Sequence, residues 1–385
     1  MLSELKIQGF KAVFDASLTS LGPFTLLIGR NGSGKSSAVE ALQWLRDATF
    51  LGVDAATSGY ADFEDLVNRR SDLLRLDLRY RRSKRRGEVH YALSVDARGV
   101  AYERCVVDRT RGTSKLIHSR TGASTGTIRW LTVLGGAIPL RNANELALRF
   151  TRTGRTGTAT DLVDFLDRAV FLRLSPTAIA NPSRAEQQAW RPILSDDGRD
   201  LATLLMRMPR PQLGRVVTKL KAIFPDVEGL DVEAISNEHR FTVRERMRAR
   251  GGTRVFDIPS ALLSEGMRRL VAIFALLEVE PRPSLLAIEE IENGLDPWTL
   301  QHVLDALREA SDEIQILLTT HSPFLLDHVA AHDVIHVRRE RGDTTYERVS
   351  DKQEVARYEG ILAPGAMYLS GVFGSGGATS GGEED

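Results

Sequence analysis

Three groups of residues in this chain are spaced for phosphate chemistry. The first is Gly29-Arg30-Asn31-Gly32-Ser33-Gly34-Lys35-Ser36-Ser37, which follows the apolar run Phe24-Thr25-Leu26-Leu27-Ile28 and precedes AVEALQWLRDA. A Gly-x-x-x-x-Gly-Lys-Ser run between a strand and a helix lets backbone N–H groups converge on phosphate oxygens, because glycines remove the side chains that would block the approach. Lys35 would reach the outer phosphates as a point charge, and the Ser36 hydroxyl would hold a magnesium ion. The second group is the apolar run ending in Glu289 and Glu290, where a magnesium-shell acid would sit beside an acid that polarises the attacking water. The third is Ile316-Leu317-Leu318-Thr319-Thr320, which ends at His321, a residue placed to sense the γ-phosphate and to hold the water-activating acid. Taken singly, the last two have plainer readings, as an acidic loop after a core strand and as a structural histidine. Their order after a phosphate loop favours the chemical reading, with ATP and Mg2+ as the expected cofactors.

A fourth stretch, Ser264-Glu265-Gly266, opens a helical run and makes a second anion-binding helix N-terminus. One nucleotide cannot easily sit at two such termini far apart in sequence, so this one is expected to serve the nucleotide of a second protomer. The alternative is a helix cap and nothing more.

The elements that must position these residues follow from periodicity. Residues 1–75 read as strand LKIQGF, strand FTLLIG, the phosphate loop, and a helix from Ser36 to about Ala48 with Val39, Leu42 and Leu45 on one face. Period-two segments in LLRLDLRYRR, VHYALSVDARGV, YERCVVDRT and KLIHSR predict an antiparallel β subdomain over 76–130, inserted into or laid against the first domain. Residues of about 130–235 carry longer helical periods, as in DLVDFLDRAVFL and DLATLLMRM, and predict a helical lobe over 131–250, with strand-like character returning at FTVRERM and TRVFDI. The nucleotide-binding domain resumes over 251–340, strand and helix elements follow over 341–370, and the glycine- and serine-rich residues 371–385 are expected to form a disordered tail. The fold class is therefore α/β, a P-loop NTPase with an inserted antiparallel β subdomain and a helical lobe.

With 385 residues, 42% hydrophobic and 26% charged, the composition is that of a globular protein, not a disordered one. Lys and Arg number 51, as do Asp and Glu, so any nucleic acid must be met by a local patch. One cysteine, Cys105, excludes an intrachain disulfide framework and a cysteine zinc cluster. No basic segment followed by an apolar core opens the chain, and no run approaches the ~18 residues that span a bilayer, which leads to an expectation of a cytoplasmic protein without a membrane partner.

With these motifs in hand, the chain resembles the ABC-type ATPases of the RecF, SMC and OLD group, in particular stand-alone ATPases of bacterial defence and DNA-maintenance operons that lack a Toprim nuclease domain. GRNGSGKS resembles their Walker A motif, LSEGMRR their signature, LLAIEE their Walker B, Asn293-Gly294-Leu295-Asp296-Pro297 their D-loop, and TTHSP their switch histidine. LKIQGFKAV, LSDDGRDLATLL and MYLSGVF extend the likeness over nearly the whole chain. The resemblance implies a slow ATPase that closes as a homodimer on two ATP molecules, each held by Walker A of one chain and by Ser264, Glu265 and Gly266 of the other. It also implies a sensor or clamp role in DNA repair or phage defence with a separately encoded effector. Three departures stand out: Glu289 replaces the usual aspartate, Asp296 replaces a histidine frequent in the subgroup, and GYADFEDLVNRRSD occupies the place of a glutamine loop. Two alternatives remain, a transporter's nucleotide-binding subunit and a nonhydrolysing ATP-gated scaffold. Against the transporter stand the long insert before the signature and the signature's own sequence.

Candidate DNA contacts are Arg79, Arg81, Arg82, Lys84, Arg85 and Arg86 between two strands, with a second basic stretch at Arg244, Arg246, Arg248, Arg250 and Arg254. A solvated hairpin tip with paired guanidiniums is the equal alternative.

Overall fold

A computed structural model describes residues 1–81, 87–109, 112–119, 127–131, 137–139, 144–152, 159–184, 190, 192–249, 252–358 and 360–374. The chain divides into two compact units, Met1–Asp167 with Thr319–Asp385, and Arg168–Leu318.

The first unit contains an eight-stranded antiparallel sheet in the order Val13–Leu18, Leu2–Phe10, Leu73–Arg81, Glu88–Asp96, Gly99–Arg109, Gly112–Ser119, Thr127–Leu131, Ala137–Pro139. Alternation writes this sheet into the sequence: Leu74, Leu76 and Leu78 are buried with Arg75 and Asp77 between them, and Val89, Tyr91, Leu93 and Val95 are buried with His90, Ala92 and Ser94 between them. The sequence reading treated the hairpins as an insert. In the structure Leu2–Phe10 pairs directly with Leu73–Arg81, placing Leu5 opposite Leu78 and Ile7 opposite Leu76, so the N-terminal strands belong to the same sheet. One buried carboxylate, Glu103, fastens the segment after the sheet by accepting hydrogen bonds from the N–H groups of Ala147 (2.6 Å) and Leu148 (2.8 Å) and from the Tyr91 hydroxyl (2.9 Å). Burial, then the Glu103 charge, raise the Tyr91 phenol well above its ordinary range.

The same unit holds the strand Phe24–Ile28, buried along its whole length. It runs parallel to Val334–Glu340, which turns back antiparallel as Asp343–Arg348. Continuous burial explains why this strand reads as an unbroken apolar run instead of alternating. Helix Lys35–Leu51 follows it, burying Ala38, Val39, Ala41, Leu42, Leu45 and Ala48. It stops at Gly52, whose N–H bonds the Ala48 carbonyl at 3.1 Å.

The second unit is built on parallel strands Ala169–Leu172, Leu285–Ile288 and Gln315–Thr320, with Leu285–Ile288 central. The last two residues of Gln315–Thr320 return the chain to the first unit. Helices Leu201–Arg207, Arg210–Ile223, Glu265–Glu278 and Pro297–Ala310 accompany them. Strands also occur within the helical lobe expected over 131–250. The apparent helical period of DLVDFLDRAVFL breaks after Asp167, and Ala169–Leu172 is a strand paired residue for residue with Leu285–Ile288. Four consecutive buried residues satisfy either periodicity, and tertiary pairing decided between them. Further on, Val227–Ile235 pairs antiparallel with Glu238–Ala249, which Gly252–Pro259 joins, the last two strands containing the strand-like FTVRERM and TRVFDI.

Residues 371–374, expected to belong to a disordered tail, are described and packed, and 375–385 lie outside the described residues. Phe373 is 1% exposed, and its ring lies 5.8 Å from those of His336 and Tyr368.

Candidate functional site

The phosphate loop owes its shape to three glycines with three different reasons. At Gly32 the backbone is left-handed (φ 75°) and a Cβ would meet nothing within 4 Å, so the open space over this residue is available to a ligand. Gly34 is also left-handed (φ 109°), but a Cβ there would strike the Thr344 side chain at 2.8 Å. Gly29 has to be small for packing alone, because a Cβ would lie 2.2 Å from the Val337 carbonyl oxygen. The strand turn behind the loop completes the cradle: the Thr344 hydroxyl donates to the Ser33 carbonyl (3.1 Å) and the Tyr346 hydroxyl to that of Gly34 (2.9 Å). Burial drives the Tyr346 phenol far above its ordinary range, keeping it a donor.

Lys35 begins the helix and is 7% exposed, its Nζ donating to the carbonyls of Gly29 (2.6 Å) and Arg30 (3.0 Å). No side chain caps this helix at Gly34, so its N-terminal N–H groups face the loop with the positive end of the helix dipole behind them. The Ser33 hydroxyl is buried and makes no hydrogen bond within the protein. Arg30 and Asn31 are exposed, Ser36 is half-buried and Ser37 is buried. These features fit a phosphate chain with its charge spread over several oxygens.

A cleft of about 1060 Å3 opens from Gly29–Ser33 and is lined also by His321, His336, Arg338, Arg339 and Tyr368. His321, singled out in the sequence, lines this cleft, and the wall formed by the C-terminal segment left no signal there. That wall is fixed where His336 Nδ1 meets the Phe373 carbonyl at 3.1 Å, and burial followed by the Lys352 charge lowers the His336 imidazole to about 4. Arg338 is committed to Glu340 (2.8 Å) and Glu347 (2.6 Å).

In the second unit the adjacent acids have different partners. Glu289, 8% exposed, forms an ion pair with Arg173 (Nη2 to Oε2, 2.8 Å). Glu290 takes a left-handed backbone (φ 50°), which swings it off the strand, and its carboxylate accepts from Asn293 Nδ2 at 2.6 Å. Ser264 caps the helix Glu265–Glu278 by accepting from the Met267 N–H at 3.1 Å. A Cβ on Gly266 would lie 2.8 Å from the Gly294 carbonyl oxygen, so the turns at Gly266 and Gly294 pack backbone to backbone. Arg269, beside Gly294, is held below its usual guanidinium range by desolvation, against the raising fields of Glu265 and Glu290. Asp296 caps the helix Pro297–Ala310 through the Thr299 N–H (3.0 Å) and hydroxyl (2.6 Å), and those hydrogen bonds lower its carboxyl. No cluster of three His, Cys, Asp or Glu side chains forms a metal cage among the described residues. A magnesium ion would then be held by one or two protein oxygens and the phosphates themselves, the manner in which this small, hydrated ion usually binds.

Of the candidate DNA contacts, Arg82, Lys84, Arg85 and Arg86 lie outside the described residues. Arg79 pairs with Glu4 (3.0 Å) and Arg81 with Glu88 (3.8 Å). In the second basic stretch, Arg244 pairs with Asp231 at 2.8 Å and Arg246 with Glu228.

Two family models match the chain. Residues 4–68 match one described as "AAA domain". Residues 178–327 match one described as "AAA domain, putative AbiEii toxin, Type IV TA system". A comparison with curated protein sequences gives no match. Among solved structures, the chain is similar to an Smc head domain with an extended coiled coil bound to the C-terminal domain of ScpA, derived from Pyrococcus furiosus, at 14% identity and TM-score 0.57, over 94% of this chain and 99% of that one. It is similar also to an SmcHead bound to the C-winged helix domain of ScpA, at 15% identity and TM-score 0.53, over 90% and 97% of the two chains. The fold is therefore that of an SMC-type P-loop ATPase head. The two matched AAA domain segments lie within that fold.

Proposed function

We propose that the protein binds ATP with magnesium at Gly29–Ser37 and hydrolyses it slowly, opening and closing a head-to-head homodimer. The observation that carries this reading is the phosphate loop itself: an open left-handed Gly32, an uncapped helix N-terminus and a buried Lys35, all bordering one cleft with His321. Bound magnesium would neutralise charge developing on the phosphates, with Ser36 and Glu289 as its protein ligands. Glu290 would orient and polarise the attacking water, and His321 would hold the site at the γ-phosphate side. Ser264, Glu265 and Gly266 would meet the nucleotide of the second protomer, with Asp296 in the adjoining turn.

Heads of this type are found bound to ScpA domains, which supports a separate protein partner here as well; the sensor or clamp role in DNA repair or phage defence rests on the resemblance. No helix among the described residues is long and apolar enough to cross a membrane. Any DNA contact would use the basic stretches at Arg79–Arg86 or Arg244–Arg254, where the paired guanidiniums must exchange a carboxylate for a phosphate.

The test is sedimentation of Glu290→Gln with and without ATP and magnesium. An ATP-dependent shift to a dimer is expected, and a monomer under all conditions would overturn the sandwich.

A further inference from the structure

The ion pair between Arg173 and Glu289 has a geometry set by strand register. Leu172 lies opposite Ile288 in the parallel pair Ala169–Leu172 and Leu285–Ile288, so the next residue on each strand, Arg173 and Glu289, falls side by side on one face. The backbone holds both in place: the Glu289 N–H donates to the Leu172 carbonyl (2.9 Å) and the Arg173 N–H to the Asp196 carbonyl (2.8 Å). The two side chains differ in exposure. That of Glu289 is 6% exposed and that of Arg173 62%, and Arg173 Nη2 meets Glu289 Oε2 at 2.8 Å. The extra methylene of glutamate over aspartate carries the carboxylate further towards that guanidinium.

We propose that Arg173 is a positioning residue that competes with magnesium for the Glu289 carboxylate, and so sets the magnesium concentration at which nucleotide binds. The inference rests on the ATPase reading above. A divalent ion, or a water in its shell, needs the lone pairs that the guanidinium occupies. The metal therefore binds against the pair, and the exposed arginine is the partner that leaves. The same pair keeps a buried carboxylate neutralised until nucleotide and metal arrive, avoiding the cost of an uncompensated buried charge.

The experiment is a magnesium titration of the binding of a nonhydrolysable ATP analogue to the full chain, followed by calorimetry. Arg173→Gln should lower the half-saturating magnesium concentration about five-fold, the equivalent of ~1 kcal/mol at 1.4 kcal/mol per tenfold. Arg173→Met, which keeps the apolar stem and loses the charge, carries the same expectation if Arg173→Gln does not fold. In a Glu289→Asp background, which withdraws the carboxylate by one methylene, Arg173→Gln should shift the midpoint less than two-fold. An unchanged midpoint overturns the inference and leaves the ATPase reading standing. A raised midpoint also overturns it, because Arg173 would then be assisting the phosphates instead of opposing the metal. Wild-type protein that binds no analogue at any magnesium concentration overturns the ATPase reading and this inference with it.

Discussion

The two compact units are equipped with opposite chemistry. The first presents donors: backbone N–H groups of a glycine loop, a helix N-terminus, Lys35 and the rim of Arg30 and Arg339. The second presents acids, each held by its own neighbour: Glu289 by Arg173, Glu290 by Asn293, Asp296 by Thr299. A loop of donors needs no side-chain partners, since the backbone supplies the charge pattern, and it can be written as a contiguous motif. Acids at a strand end must be restrained one by one, Glu290 and Asp296 by residues three positions on and Glu289 by Arg173 from a strand far away in sequence. The first unit thus depends on small residues and backbone shape, the second on ion pairs and caps.

The largest expected effect belongs to the donor side. Lys35→Ala should remove ATP binding, with affinity down at least ~100-fold by calorimetry, because the buried ammonium at the head of the helix is lost. An affinity equal to wild type would show that the loop is not a phosphate cradle.

On the acid side, Glu290→Gln should leave nucleotide affinity within about two-fold and reduce phosphate release ~100-fold, the usual scale for a water-activating group. If both values are unchanged, the hydrolytic assignment moves elsewhere.

The glycines divide structural from binding roles within one loop. Gly29→Ala should destabilise the fold by roughly 2–4 kcal/mol in chemical denaturation, since its Cβ meets the Val337 carbonyl oxygen at 2.2 Å and backbone must shift. Gly32→Ala should cost only about 1 kcal/mol, the left-handed penalty at an open position, and should lower nucleotide affinity more than it lowers stability. The reverse order of stabilities would contradict the packing described here.

A pH-dependent effect concerns the cleft wall. His336 titrates near 4 in the folded chain against an ordinary value of 6.5, so the unfolded chain binds more protons between these limits. Stability contributed by the neutral imidazole is complete above about pH 6.5 and is lost as pH falls towards 4. Over that window the wild-type protein should lose about 2–3 kcal/mol more than His336→Gln, measured by urea denaturation at each pH. Parallel curves would place the imidazole in water.

Much of the site could be read directly. The phosphate loop, the acid-terminated strand and His321 are local patterns, each confined to about ten residues and tied to one strand end, so periodicity and spacing suffice to find them. The fold was legible where alternation was clean, as over Leu73–Arg81, and misread where it was not: AVFL after Asp167 fits a helix face as well as a buried strand.

What the sequence determined by itself is the chemistry of the local motifs: glycines that free a backbone, a lysine and serine after them, paired carboxylates after an apolar run. Which residue faces each motif was decided by tertiary structure. Arg173 meets Glu289 because two strands more than a hundred residues apart align in register, and Thr344, Tyr346 and Phe373 close around the phosphate loop and its cleft because a distant antiparallel turn and the C-terminal segment pack there. Such contacts depend on pairing between strands and on burial of aromatic rings, and neither leaves a pattern within a single stretch of sequence.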